Sequence, residues 1–256
     1  MKHIIIEGRV LPERRLVTIA DLGTISLSDP RGFEATFEVR IRDGKIQIKC
    51  AVAQLSDWDL KMALVRAYEI VTAAVDLYAF SKGWALTVLL DDFIIDGRKQ
   101  GIAFSETSVA SLCGVISNDE DFLQAWESVS KNFNLKFALR DLISSLSTLN
   151  YSSVAACRAL EAIRNSIGPE GSSDKEGWEV LRAKLRVERD YIQFITDSSQ
   201  EPRHGNRGAA FGDDQLEVTH RAWKIVDRYL EYLKRGGSEV LPEDEFPVLN
   251  QPKKPS

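Results

Sequence analysis

Arg203, His204 and Arg207 stand together in the glycine-rich stretch SSQEPRHGNRGAAFGDD, residues 198–214. An imidazole with an ordinary pKa of about 6.5 can move a proton at neutral pH. A guanidinium is planar, permanently charged and bidentate toward phosphate. The stretch leads into a helical run, and the free N–H groups of a helix start favour an anion. Together these groups suit a phosphodiester or a carboxylate. His204 would be the general acid or base, Arg203 the phosphate ligand and Arg207 its support. The plainer alternative has Arg203 salt-bridging a neighbouring helix and His204 decorating a turn.

Other arginines lie at helical spacing. Arg158, Glu161 and Arg164 share a face, with Asn165 beside the last, and Arg164 and Asn165 are further candidates for phosphate binding. Arg182, Arg186 and Arg189 form a second basic stripe, but Glu179, Glu188 and Asp190 lie nearby, and such pairs also occur on ordinary solvated helices. Asp91, Asp92 and Asp96 cluster near a strand end. Asp91 and Asp92 should point to opposite faces, and Asp96-Gly97 is ordinary turn chemistry. The P-loop pattern GxxxxGK[ST], the strand-linked GxGxxG and the GxSxG elbow are all absent. With three histidines and no CxxC spacing, no metal site is expected, and no cofactor is implied.

These residues must be positioned by a chain of 256 residues with 44% apolar and 28% charged content. That composition is typical of a folded protein, and a chain of this length buries about 70–75% of its unfolded surface without staples. The net charge of −5 argues against coating nucleic acid or anionic membrane through overall charge. Cys50, Cys113 and Cys157 are odd in number and set among apolar neighbours, which suits buried free thiols in a reducing compartment. The N-terminus MKHIIIEGRVLPERR lacks the roughly 7–15 apolar residues of a signal peptide and the about 20 of a membrane span. The expectation is a cytoplasmic protein with no membrane partner.

The first part reads as strands with one long helix. In FEATFEVRIRDGKIQIKCAV, apolar and polar residues alternate on both sides of Asp43-Gly44, a pair suited to a type I′ turn. A two-residue turn sets Ile41 opposite Ile46, Val39 opposite Ile48, Phe37 opposite Cys50 and Glu38 opposite Lys49. HIIIEGRV and LVTIADLGTISL read as earlier strands. A helix capped by Asp57 should run to Lys82-Gly83, burying Leu60, Leu64, Ala67, Val71, Ala74 and Tyr78. WALTVLLDDFII returns to strand character, with a turn at Asp96-Gly97.

The second part reads as helices only. Ser117 and Glu120 have capping-box spacing, as do Ser173 and Glu176, and Asn134 precedes LKFALRDLISSL. SVAACRALEAIRNSI is a third helix, GWEVLRAKLRVERDYIQFI a single long fourth, and QLEVTHRAWKIVDRYLEYLKRGG the last, ended by Gly236-Gly237. The expected fold is α+β. An antiparallel sheet with one long helix occupies residues 1–116, a helical bundle 117–237, and an extended or mobile tail 238–256, in which Phe246, Val248 and Leu249 could dock.

A helical bundle with an Arg-His element leading into its last helix resembles the HEPN class. That resemblance implies either a metal-independent RNase of prokaryotic defence systems or a non-catalytic binding or dimerising module. In active members the Arg and His stand several residues apart, with a polar residue after the Arg. Here Arg203 and His204 are adjacent, and Arg164-Asn165 opens like the motif without a following His. The segment from Trp178 to RAWKIVDRYLEYLKRGG also resembles uncharacterised bacterial proteins, some labelled methylamine-utilisation J-like. The implied partners are RNA or a nucleotide, with a possible homodimer or protein partner. The alternative is a non-catalytic interaction or ligand-sensing module with structural arginines.

Overall fold

The computed structural model describes residues 1–19, 21–29, 32–102, 111–147, 152–205 and 213–251. The fold is α+β, and the chain divides into two compact units, Met1–Ala103 and Phe104–Ser256.

The first unit contains β1 (Lys2–Leu11), β2 (Thr24–Ser28), β3 (Glu34–Arg42), β4 (Lys45–Val52), α1 (Asp57–Lys82), β5 (Thr87–Ile95) and β6 (Arg98–Gly101). The strands form one antiparallel sheet in the order β2-β3-β4-β1-β5-β6. The β3–β4 hairpin has the register read from the alternation: Ile41 faces Ile46, Val39 faces Ile48, Phe37 faces Cys50 and Glu38 faces Lys49. Asp43 and Gly44 both have positive φ, 52° and 76°, as a type I′ turn demands. Of LVTIADLGTISL only the second half is a strand; Ile19 makes a single bridge to Ile41.

Helix α1 is capped by Ser56, not Asp57: Ser56 and Asp59 form the capping box, and Asp57 is the first helical residue. Gly83 ends it in the left-handed conformation. Its buried stripe is Ala63, Ala67, Val71, Val75 and Ala79; of the expected residues Ala67 and Val71 belong to it, while Leu60, Leu64, Ala74 and Tyr78 are half-buried along its flanks. Small residues let the helix axis approach the sheet, whose inner face supplies the bulk through Phe33, Phe37, Ile4, Ile6 and Ile48. Strand β1 lies between β4 and β5, and at Gly8 it approaches β5 very closely. A Cβ there would lie 2.3 Å from the Leu89 carbonyl oxygen and 3.0 Å from the Leu90 Cα. The β1–β5 register shifts at this point, with Asp91 as the extra residue, so the inward residues of β5 run Val88, Leu90, Phe93.

The second unit contains α2 (Asp119–Lys131), α3 (Phe133–Ser147), α4 (Ser152–Ile167), α5 (Asp174–Leu185), α6 (Arg189–Arg203) and α7 (Asp213–Lys234). Helix α4 packs against α3, α5, α6 and α7, placing Ala156, Ala159, Leu160 and Ile163 at the centre of the core. Val115 joins this core, which puts the residues just before α2 with the helices and not with the sheet. Two caps differ from the sequence reading. Asn118 caps α2 through the Asp121 N–H, and Asn132 serves the start of α3 through the Leu135 N–H. The Ser173–Glu176 capping box forms as expected.

The single long fourth helix is in fact two. The chain breaks at Arg186, which is left-handed (φ 55°), and Val187 turns inward to 4% exposure. The segment after α7 holds this break. Leu249 N–H donates to the Arg186 carbonyl at 2.9 Å, Glu188 N–H to the Leu249 carbonyl at 2.9 Å and Leu241 N–H to the Lys184 carbonyl at 3.0 Å. The Arg228 guanidinium, 93% buried, donates to the Leu185 and Arg186 carbonyls at 2.9 Å and to the Pro247 carbonyl at 2.6 Å. Residues 238–251 form a docked strap, with Phe246 and Leu249 on the core as their apolar character allowed, and Val248 largely outward.

Two substitutions test this packing. Gly8→Ala forces β1 off β5 and should cost about 1–3 kcal/mol or more in urea unfolding. Arg228→Met takes the guanidinium donor from the Leu185 and Pro247 carbonyls and one of two donors from the Arg186 carbonyl, and should cost about 2–4 kcal/mol, with faster proteolysis of residues 238–251.

Candidate functional site

Helix α6 runs through Ser198–Arg203, so the first third of the expected Arg-His loop is helical, with Pro202 in its last turn. His204 closes the helix: its backbone N–H reaches the Gln200 and Glu201 carbonyls at 3.2 and 3.1 Å, and its side chain is exposed. Gly205 follows with φ 77°. Arg203 turns back to α4 and donates to Glu161 Oε1 at 3.0 Å, each side chain about one-third exposed. The Cys157 thiol lies 3.9 Å from the same carboxylate oxygen, and burial pushes its pKa up. Arg207 lies outside the described residues.

Arg164 is one turn further along α4 and is separately engaged. It ion-pairs with Asp174 at 2.9 Å, donates to the Asn165 side-chain oxygen at 2.9 and 3.1 Å, and lies 5.2 Å from the Trp178 ring centroid. Its side chain is 12% exposed, whereas Asn165 is exposed. Thus the two arginines near α4 have separate acidic partners: Glu161 on α4 takes Arg203, and Asp174 at the start of α5 takes Arg164. Arg158 pairs with Asp141 at 3.2 Å and Arg186 with Glu243 at 3.2 Å. Each charge met in this way must shed its partner before it can engage an anion.

The carboxylates of the sheet are likewise paired. Asp91 meets Arg9 at 3.4 Å, Asp92 meets Lys99 at 3.0 Å, and Asp96 is the first turn residue before β6, with φ 49°. Among the described residues, no group of three or more His, Cys, Asp or Glu could hold a metal ion. Cys50 is buried, with burial pushing its pKa up to about 12, whereas Cys113 is only half-buried. No helix of the described residues is long and apolar enough to cross a membrane.

A different surface stands out on α2 and α3. Helix α2 has no buried residue. Phe122, Leu123, Trp126, Phe133 and Phe137 are all 46–67% exposed, and the last two rings meet edge to face at 4.4 Å. The inner side of α2 is held by Val129 on the core and by Asp121, which accepts from Lys234 Nζ at 2.6 Å. Asp119 and Glu120 at one end, and Lys136 and Arg140 on α3, are exposed and have no ion pair among the described residues. Sequence reasoning passed over this surface. Its signal was the i, i+4 aromatic spacing of Phe122–Trp126 and Phe133–Phe137 on helices whose other faces already supplied the core.

The two units also correspond to two family matches. Residues 4–104 match the N-terminal domain of a domain of unknown function (DUF8168), and residues 122–234 match its C-terminal domain. The chain carries both DUF8168 domains, in order. The DUF8168 C-terminal match covers α2 to α7 apart from the first residues of α2, and it ends where the strap begins. No curated protein and no solved structure matches the chain.

The Asp121–Lys234 contact sets an acid limit on the seating of α2. The Lys234 ammonium, then the Ser117 hydroxyl and N–H, hold the Asp121 pKa down at about 2, against an ordinary 3.8. A carboxyl depressed on folding contributes stability above its ordinary pKa and loses it as pH falls through the depressed one. The difference in thermal midpoint between the native chain and Asp121→Asn should therefore close between pH 3.8 and about 2.

Proposed function

We propose that the helical unit is a non-catalytic interaction module that joins two copies of this chain through α2 and α3. The observation that carries the reading is the exposed aromatic face, Phe122, Trp126, Phe133 and Phe137 with Leu123. At about half exposure each, these side chains present roughly 500–600 Å² of apolar surface. That is at the upper end for the largest patch of a typical monomer and approaches the roughly 800 Å² per partner of a standard interface.

Charge argues for a second copy as the occupant. The chain carries −5 overall, yet the unpaired charges around this face balance, Asp119 and Glu120 against Lys136 and Arg140. A two-fold interface requires a self-complementary patch, in which the acidic end of one copy meets the basic end of the other. On this reading Arg203 and Arg164 are structural, and His204 is a helix terminus.

Light scattering across the micromolar range should show a monomer–dimer equilibrium. Trp126→Glu with Phe137→Glu should leave only monomer with unchanged circular dichroism. Lys136→Glu with Arg140→Glu should weaken association at least tenfold, and adding Asp119→Lys with Glu120→Lys should restore it. Salt at about 1 M, where screening acts within about 3 Å, should weaken the native pair. A chain that stays monomeric throughout, or a dimer indifferent to all these changes, overturns the reading. His204→Ala and Arg203→Ala should leave association unchanged.

A further inference from the structure

Helices α5 and α6 both pack on α4, but beyond the three-residue turn at Arg186–Glu188 they splay from one another. The cleft between them holds about 450 Å³, within the roughly 300–1,000 Å³ of small-molecule sites. It is independent of the α2–α3 face and of the Arg203–Glu161 pair, neither of which contributes a lining residue.

Its lining separates by chemistry. Arg182, near the end of α5, and Arg189, the first residue of α6, both line it. Arg182 spends its Nε on the Trp178 carbonyl at 3.3 Å, and its terminal nitrogens have no partner among the described residues. Arg189 has no ion pair among them either. It begins a helix whose N-cap, Glu188, makes no side-chain capping bond. Two arginines thus line one cleft at a helix start whose N-cap side chain makes no capping bond and whose first turn also carries Asp190. Without an anion between them they repel; a phosphate can bridge both bidentately while the helix start adds its own attraction.

Trp178 lines the same cleft, with Arg164 against its ring and Ile192 as an apolar floor. Arg164, tied to Asp174 and Asn165, restricts the indole. A restrained aromatic ring in a cationic cleft suits a second flat ring stacked on it. Gln193, Thr196, Glu179 and Asp197 supply the amide, hydroxyl and carboxylate groups that read the amino and hydroxyl edges of a base and sugar, and Lys175 adds a third cation. The two carboxylates disfavour a ligand of phosphate alone.

We infer that this cleft binds a nucleoside phosphate, the base on Trp178 and the phosphate between Arg182 and Arg189. The phosphate could belong to a free mononucleotide or to one residue of a single strand. Titration calorimetry on the full chain with purine and pyrimidine mononucleotides, a short single-stranded RNA and inorganic phosphate separates these. The expected result is saturable binding of a mononucleotide or the RNA, at least tenfold tighter than phosphate. Arg182→Gln with Arg189→Gln should weaken it at least tenfold, and raised salt should weaken it too. Trp178→Leu should lower the preference over phosphate; should that variant fail to fold, the exposed-arginine double variant decides alone. Trp126→Glu with Phe137→Glu should bind as the native chain does, which keeps this result separate from association. No saturable binding of any nucleotide or RNA, or binding that survives loss of both arginines, overturns the inference.

Discussion

The second unit depends on one buried guanidinium. Arg228 sits where α5 stops, α6 starts and the C-terminal segment crosses both, and it donates to three carbonyls there, one from each of Leu185, Arg186 and Pro247. A buried charge without an acid partner is normally expensive. Here carbonyl dipoles and the Phe246 ring, 5.8 Å away, stand in for the carboxylate, while burial pushes the Arg228 pKa down from its ordinary value. The left-handed Arg186 is affordable for the same reason: its carbonyl takes both Arg228 and the Leu249 N–H, and its own side chain donates to the Phe246 carbonyl at 2.9 Å. That knot, together with the packing of both helices on α4, fixes the turn between α5 and α6.

The two units build their interiors in opposite ways. In the first, a helix with an Ala/Val stripe lies on a sheet whose strands carry the large side chains. In the second, the helices surround α4, and several arginines are laid against rings: Arg221 lies 4.1 Å from Phe194 and 4.8 Å from Tyr191, and Arg235 lies 5.1 Å from Phe246. Arg221 Nη1 has no hydrogen-bond acceptor among the described residues, and those two aromatic faces take its place. Four arginines of the helical unit, Arg164, Arg221, Arg228 and Arg235, are thus laid against rings as packing material.

What could be read from the sequence follows from what is local. The β3–β4 register was legible because Asp43-Gly44 and strict alternation overdetermine it. The gross division into sheet and bundle was legible for the same reason. The α1 stripe was read correctly at Ala67 and Val71 and missed at its ends, because Leu and Tyr outrank Ala and Val in apolarity, whereas close approach to a sheet selects for smallness. The break at Arg186 carries no Gly or Pro; it is imposed by contacts to residues some 60 positions away, Phe246 and Leu249. The candidate site was read from residue types alone. Sequence supplies the arginines but not the acids that meet them, since Arg203 and Glu161 are separated by 42 positions. The exposed aromatics were legible as spacing and missed as surface, because periodicity does not say which of two apolar stripes faces inward.

Strand β1 has a consequence for how the sheet unit comes into being. It is hydrogen-bonded on both sides, so the β3–β4 and β5–β6 hairpins touch only through it. Either hairpin can form early from neighbouring residues, yet neither can join the other until the first ten residues thread between them. Closure therefore waits on pairings as distant as Ile4 with Ile95, and loop-closure entropy makes such a step slow. While it waits, two open strand edges of the nascent unit face solvent together, which makes strand β1 the guard against sheet-to-sheet sticking.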